Sequence, residues 1–272
     1  MVLFSISSRM RLSERIMLNN FGVSVLFFYC LILIKILWQL YQLHIFTPYT
    51  LLGNLPTNEC LMTIFFQHQI NEFTRLGVWK IEETEEFFKR NVPAHRDVTH
   101  PHKRLQHLAG RFLLQFLFPD FPYELIQIAD TRKPFLPDER YHFSISHCGD
   151  YAAAIVSSKS RVGVDVEEPK EKILTIANKF ITEKEKNIFG MDDSLTTVTN
   201  FQTPTLIWSA KESVFKWYGE GAVDFKLHIQ LESVKQSEET ITCFFVKTHS
   251  PLAIEYRIFD ELVLTWVLDT EE

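Results

Sequence analysis

From Met62 onward the chain keeps changing its hydrophobic rhythm, and the order of those changes limits the fold more than any other feature. Residues 64–68 and 76–81 read as strands and Glu82–Arg90 as a short helix with an acidic start. In 103–117 (KRLQHLAGRFLLQFL), Leu105, Leu108, Phe112 and Leu113 recur at helical spacing, and Pro119 and Pro122 follow as stops. Residues 141–147 and 151–157 alternate around Cys148-Gly149-Asp150, a hairpin signal, and 161–167 is another strand. Helices are predicted over 172–189 and 205–218, then four short strands near 224–232, 240–248, 253–259 and 262–268. Strands and helices mix without a steady strand–helix beat. That excludes a doubly wound parallel sheet and predicts an α+β fold.

Residues 1–61 differ from the rest. Residues 21–43 carry a single charge, Lys35, and follow Arg9, Arg11 and Arg15. This is long enough for a membrane helix with its arginines held inside, so a signal anchor is one reading. A structured extension packed on the domain is a second. A third places these residues upstream of the real start, with Met62 opening the globular part.

The rest of the composition narrows the function classes. Hydrophobic residues make up 46% and charged residues 23%, enough for a core and against disorder. A net charge of −6 argues against a general nucleic-acid binder while leaving room for a local basic pocket. The four cysteines (Cys30, Cys60, Cys148, Cys243) form no CxxC pair and no zinc spacing, and read as reduced thiols.

Two stretches carry chemistry. In Gly163-Val164-Asp165-Val166-Glu167, strand alternation puts Val162, Val164 and Val166 on one face and Asp165 and Glu167 on the other. Two adjacent carboxylates raise each other's pKa unless a cation intervenes, and Mg²⁺ suits such oxygens. Solvated acids on a half-exposed strand satisfy the same pattern. In Trp208–Gly219 (WSAKESVFKWYG), Trp208, Glu212 and Phe215 share one helical face, while Glu212 and Lys216 also fit a plain i,i+4 surface ion pair. Each stretch alone is ambiguous.

Together they are not. The D-x-E pattern followed by W-S-x-K-E-S-x-x-K, with Asp165 and Glu212 separated by 47 positions, resembles the 4′-phosphopantetheinyl transferase superfamily. Lys133-Pro134, the run from Phe143 to Gly149, and Ala109-Gly110-Arg111 are similar to motifs of its longer, surfactin-type branch, with Ser144 and Cys148 as departures. The resemblance spans roughly 64–232 and none of 1–61.

The resemblance implies a monomer of two similar α+β halves related by a pseudo-twofold, about 62–159 and 160–272, with the active site between them. It implies transfer of the phosphopantetheine arm of coenzyme A to a serine of an apo acyl or peptidyl carrier protein, releasing adenosine 3′,5′-bisphosphate. Asp165, Glu167 and Glu212 match the acids around Mg²⁺, with Glu212 also a general base, directly or through a water. Lys216 matches the lysine on the phosphates, with Lys211 a lesser contributor. Ser146, His147 and Lys133 match coenzyme A-binding positions, and Arg104 is preferred over Lys103 for the ribose 3′-phosphate. The carrier is expected to dock near Lys170, Lys172, Lys179, Lys184 and Lys186. Coenzyme A and carrier proteins are cytosolic, so a cytoplasmic enzyme beginning at Met62 is expected and a membrane anchor is disfavoured. The rival reading is a non-catalytic coenzyme A- or carrier-binding module.

Overall fold

The computed structural model describes residues 64–92, 98–191 and 201–269. The apolar stretch 21–43 and the readings attached to it lie outside the described residues, as does His95. Among the described residues no helix is long and apolar enough to cross a membrane.

The elements begin where side chains can satisfy the backbone. Strands β1 (Ile64–Gln69) and β2 (Thr74–Lys80) form an antiparallel hairpin. Helix α1 (Glu85–Asn91) starts later than the acidic run suggests. Thr84 caps it by accepting from the Phe87 N–H, while Glu83 turns away to accept the Trp79 indole N–H at 2.8 Å. Helix α2 (Pro101–Leu117) starts slightly before the predicted position, because His100 caps it and Pro101 takes the first position, where a missing N–H costs nothing. A two-residue pair, β3 (Gln127–Ile128) and β4 (Pro134–Phe135), leads to β5 (His142–Cys148) and β6 (Tyr151–Ser157), joined through Gly149 at φ +52. Next comes β7 (Val162–Glu167).

The predicted helix over 172–189 is broken. Residues 171–175 and 177–179 are 3₁₀ turns, and only α3 (Glu183–Ile188) is α-helical. The cause is local: Thr182 and Glu185 form a reciprocal capping box that starts a new helix, and the preceding Phe180 and Ile181 are buried in the core. Helix α4 (Gln202–Tyr218) ends at Gly219 in the left-handed conformation. Strands β8 (Ile229–Lys235), β9 (Thr240–Phe245), β10 (Ser250–Ile258) and β11 (Val263–Leu268) follow. The strand expected from 224 begins only at Ile229, because Asp224 Oδ1 accepts the Lys226 and Leu227 N–H groups and holds a turn.

Besides the small β3-β4 pair, the described residues form two larger antiparallel sheets, in the orders β1-β2-β6-β5 and β7-β11-β10-β9-β8. Their side-chain alternation builds three apolar layers. Ala152, Ala154 and Val156 of β6 meet Leu108, Leu113 and Leu114 of α2. Tyr151, Ala153 and Ile155, on the other face of β6, meet the valine stripe Val162, Val164 and Val166 with Leu264 and Trp266 of the second sheet. Ile207 and Val214 of α4 meet Ile229, Ile241, Ile254 and Val267 on the far face of that sheet. The mixed α+β class expected from the sequence is what the chain adopts.

Candidate active site

Strand β7 sits where the layers meet. Its valines face the first sheet, which leaves Asp165 on the side covered by α4. The helix lies directly on the strand at Gly163, where a Cβ would stand 2.1 Å from the Ser213 carbonyl oxygen and 2.6 Å from the Trp217 nitrogen. Ser209 Oγ meets Thr265 Oγ1 at 3.0 Å, and Thr265 is the cross-strand partner of Asp165, so the contact also fixes the helix rotation.

This approach brings three side chains from three elements together. Asp165, 2% exposed, accepts at Oδ1 from Lys216 Nζ of α4 (2.6 Å) and from Ser146 Oγ of β5 (2.8 Å). Lys216 Nζ also donates to Ser146 Oγ at 2.8 Å, closing a triangle. Ser144, a departure from the family pattern, accepts the Val164 N–H at 3.2 Å and fastens β5 to β7 beside it. Asp165 Oδ2 is buried and accepts no hydrogen bond.

The other two carboxylates are electrostatically linked to Asp165. Burial first, then the charges of Asp165 and Glu167, push Glu212 up to about 7 against the opposing pull of Lys216. Glu167 is raised by burial and by Asp165, while its Oε1 accepts the Trp208 indole N–H at 3.2 Å. Trp208 and Glu212 thus share a helical face for a reason: one donates to the acid beside the other. Cys148 also hydrogen-bonds Glu167, and burial with that neighbouring charge lifts its thiol to about 12, so it stays protonated. His147 is lowered by desolvation, then by the Lys103 and Lys216 charges, and is therefore neutral at pH 7 rather than the cation that would grip a phosphate most strongly.

The donor set is all oxygen and suits a hard divalent cation. The unpartnered Asp165 Oδ2 and the raised Glu212 and Glu167 are what carboxylates show when a neutralising ion is wanting. Among the described residues, however, no three His, Cys, Asp or Glu side chains stand at metal-binding separation; the Lys216 ammonium is the cation that Asp165 contacts.

Three predicted coenzyme A ligands are engaged elsewhere. Lys211 is wholly buried, paired with Glu185 at 2.7 Å and donating to the Phe180 and Phe225 carbonyls, which uses all three of its protons. Arg104 makes a fork onto Glu85 (2.7 and 2.8 Å) and donates to the Val98 and Thr99 carbonyls, binding α1 to α2. Lys133 donates to the Lys216 and Trp217 carbonyls at the end of α4, and burial there lowers it to about 8. In this structure each of the three side chains is bonded to protein groups. The charge of the exposed Lys103 is among those that lower His147. Nothing in two adjacent cations tells them apart; the acid Glu85, on another helix, makes the choice.

Residues 161–267 match the model of the 4′-phosphopantetheinyl transferase superfamily. Over that span the chain is similar to that superfamily. The matched span holds Asp165, Glu167, Glu212 and Lys216, and Ser146, His147 and Lys133 lie before it. Enterobactin synthase component D of Escherichia coli O157:H7 is 35% identical over 120 residues, 42% of this chain and 54% of the relative. A putative 4′-phosphopantetheinyl transferase of Haemophilus influenzae is 34% identical over 104 residues, covering 36% and 42%. The L-aminoadipate-semialdehyde dehydrogenase-phosphopantetheinyl transferase of Xenopus laevis is 30% identical over 133 residues, covering 42% and 43%. The chain spans about half the length, or less, of the curated relatives it matches.

Proposed function

We propose that the protein transfers the 4′-phosphopantetheine arm of coenzyme A to a serine of an apo carrier protein. The observation that carries this reading is the partly buried Asp165–Lys216–Ser146 triangle with Glu212 poised near neutrality beside it. Glu212, or a water it holds, takes the proton of the carrier serine. The serine oxygen forms a bond to the β-phosphorus of coenzyme A, and the bond from that phosphorus to the bridging oxygen breaks. Adenosine 3′,5′-bisphosphate leaves with the bonding electrons. Lys216 holds positive charge where the pyrophosphate gathers negative charge, and Ser146 keeps its ammonium oriented. Asp165, Glu212 and Glu167 would hold Mg²⁺, which when bound supplies charge neutralisation at the diphosphate. His147 and Lys103 face the 3′-phosphate.

The names of the relatives point to carrier domains of peptide synthesis and of an aminoadipate-semialdehyde dehydrogenase as acceptors to try first. The enzyme acts as a cytoplasmic monomer of two pseudo-symmetric halves, a chain begun at Met62 suffices for activity, and the carrier docks over the 3₁₀ turns around Lys172, where Leu174 is exposed. Incubation with apo carrier, coenzyme A and Mg²⁺, read by intact mass, tests the reading. One pantetheine addition per carrier is expected, and chelation abolishes it. Folded protein that modifies no carrier in a broad panel refutes catalysis and leaves a binding module.

A further inference from the structure

We infer that Lys133 is a positioning residue for Lys216: with Thr131 it clamps the last turn of α4 and so holds the Lys216 ammonium against Asp165 and Ser146. The inference rests on the transferase reading of that cluster.

The argument begins with the helix end. The last carbonyls of an α-helix have no partner within it, and the last turn frays unless something accepts that role. Lys216 lies in this last turn, so its ammonium is only as fixed as the turn that carries it. Here the carbonyls of the turn are taken up almost one by one. The Phe215 oxygen accepts the Gly219 N–H at 3.0 Å. The Lys216 and Trp217 oxygens both accept from Lys133 Nζ, at 2.6 and 3.1 Å. The Gly219 oxygen accepts from Thr131 Oγ1 at 2.9 Å. A cation on helix C-terminal carbonyls is also favoured by the helix dipole.

Both clamping residues come from one rigid turn between β3 and β4, closed by Ala129 N–H to the Lys133 carbonyl (2.9 Å) and Arg132 N–H to the Ala129 carbonyl (2.8 Å). Gly219 is fitted to it twice. It has φ +74, and a Cβ there would stand 2.4 Å from Lys133 Cδ and 2.7 Å from Nζ. For its side chain to reach coenzyme A, Lys133 would have to abandon two half-buried carbonyls. Its effect on catalysis is therefore exerted through the placement of Lys216.

The test compares Lys133→Met and Thr131→Val with the wild type in transfer kinetics at varied coenzyme A, with calorimetric coenzyme A affinity alongside. Lys133→Met is expected to lower kcat about tenfold or more while KM and Kd for coenzyme A stay within about threefold, as for a displaced charge rather than a lost ligand. Thr131→Val is expected to lower kcat about two- to threefold with KM unchanged. A rise in KM that exceeds the fall in kcat, or kinetics equal to the wild type, overturns the inference. If Lys133→Met does not fold, Thr131→Val decides by the same criteria. If the wild type itself modifies no carrier, the transferase reading fails on its own, and the clamp is read from acylation of the Lys216 amine, mapped by mass spectrometry. A several-fold faster reaction in Lys133→Met supports the clamp, and an unchanged rate removes it.

Discussion

Adding one methyl group at Gly163 tests whether the contact of α4 with β7 builds the site. A Cβ there would stand 2.1 Å from the Ser213 carbonyl oxygen and 2.6 Å from the Trp217 nitrogen, where ordinary contact begins at 3.4 Å. Both obstacles are backbone, so no side chain can rotate out of the way. In Gly163→Ala the helix must lift by about 1 Å, and overpacking of this kind costs about 1–3 kcal/mol. At this domain size each 1 kcal/mol lowers Tm by about 2–4 °C, so a fall of about 2–12 °C is expected. The larger effect is on the 2.6 Å pair of Lys216 with Asp165, because a displacement of about 1 Å at a reacting centre can cost 10²-fold in rate. Gly110→Ala is the control. Its Cβ would meet only the Ile145 side chain, with Cγ2 at 2.6 Å, a flexible group on β5 rather than backbone of α4. It should lose stability while keeping transfer per folded molecule within about threefold. Differential scanning calorimetry and intact-mass transfer kinetics read both. A Gly163→Ala protein with wild-type melting and a rate within twofold would refute the idea that helix contact sets the site.

Glu212→Gln should lower transfer by about 10²–10⁴-fold. Because the folded Glu212 sits near 7, above its ordinary value of 4.5, the folded state binds the extra proton between those pH values, and metal-free stability falls as pH rises from about 4.5 to 7. Denaturation curves should accordingly show Glu212→Gln more stable than wild type at pH 8, by about 1–3 kcal/mol, and equal to it at pH 4; equality at both would contradict the assignment. Lys211→Met should destabilise by about 3–5 kcal/mol, because Glu185 is left buried and unpaired, whereas KM for coenzyme A of the folded fraction should not move; Lys211→Met with Glu185→Leu should recover part of the loss in urea titrations. Lys103→Ala should raise KM for coenzyme A about tenfold and Arg104→Ala should lower Tm with KM unchanged; the opposite pattern in steady-state kinetics would restore Arg104 to the 3′-phosphate.

What could be read from the sequence depended on whether the deciding partner lay nearby in the chain. The valine stripe of β7 and the apolar face of α2 repeat at fixed periods, so their burial follows from spacing alone. The face shared by Trp208 and Glu212 was equally plain. Helix 172–189 failed because Phe180 and Ile181 are held by tertiary packing, which outweighs helical rhythm over so short a stretch. The protein partners of the cations were hidden from the sequence for a related reason. A lysine or arginine does not announce its partner: Glu85 for Arg104, Glu185 for Lys211 and the end of α4 for Lys133 are each set by the tertiary fold. Motif resemblance pointed to Asp165, Ser146 and Lys216, which the fold brings together, but could not say which of the other charged side chains pair within the protein.

Every residue of β6 is buried, with α2 against one side and the second sheet against the other. A strand dry on both faces makes a poor hinge: opening the sheets would wet Tyr151, Ala153 and Ile155 together. Large jaw-like separation of the two sheets is thus costly. Under the proposed function, discrimination among acceptors would fall to the turns at the rim, and exchanging those turns would be the direct way to retarget it.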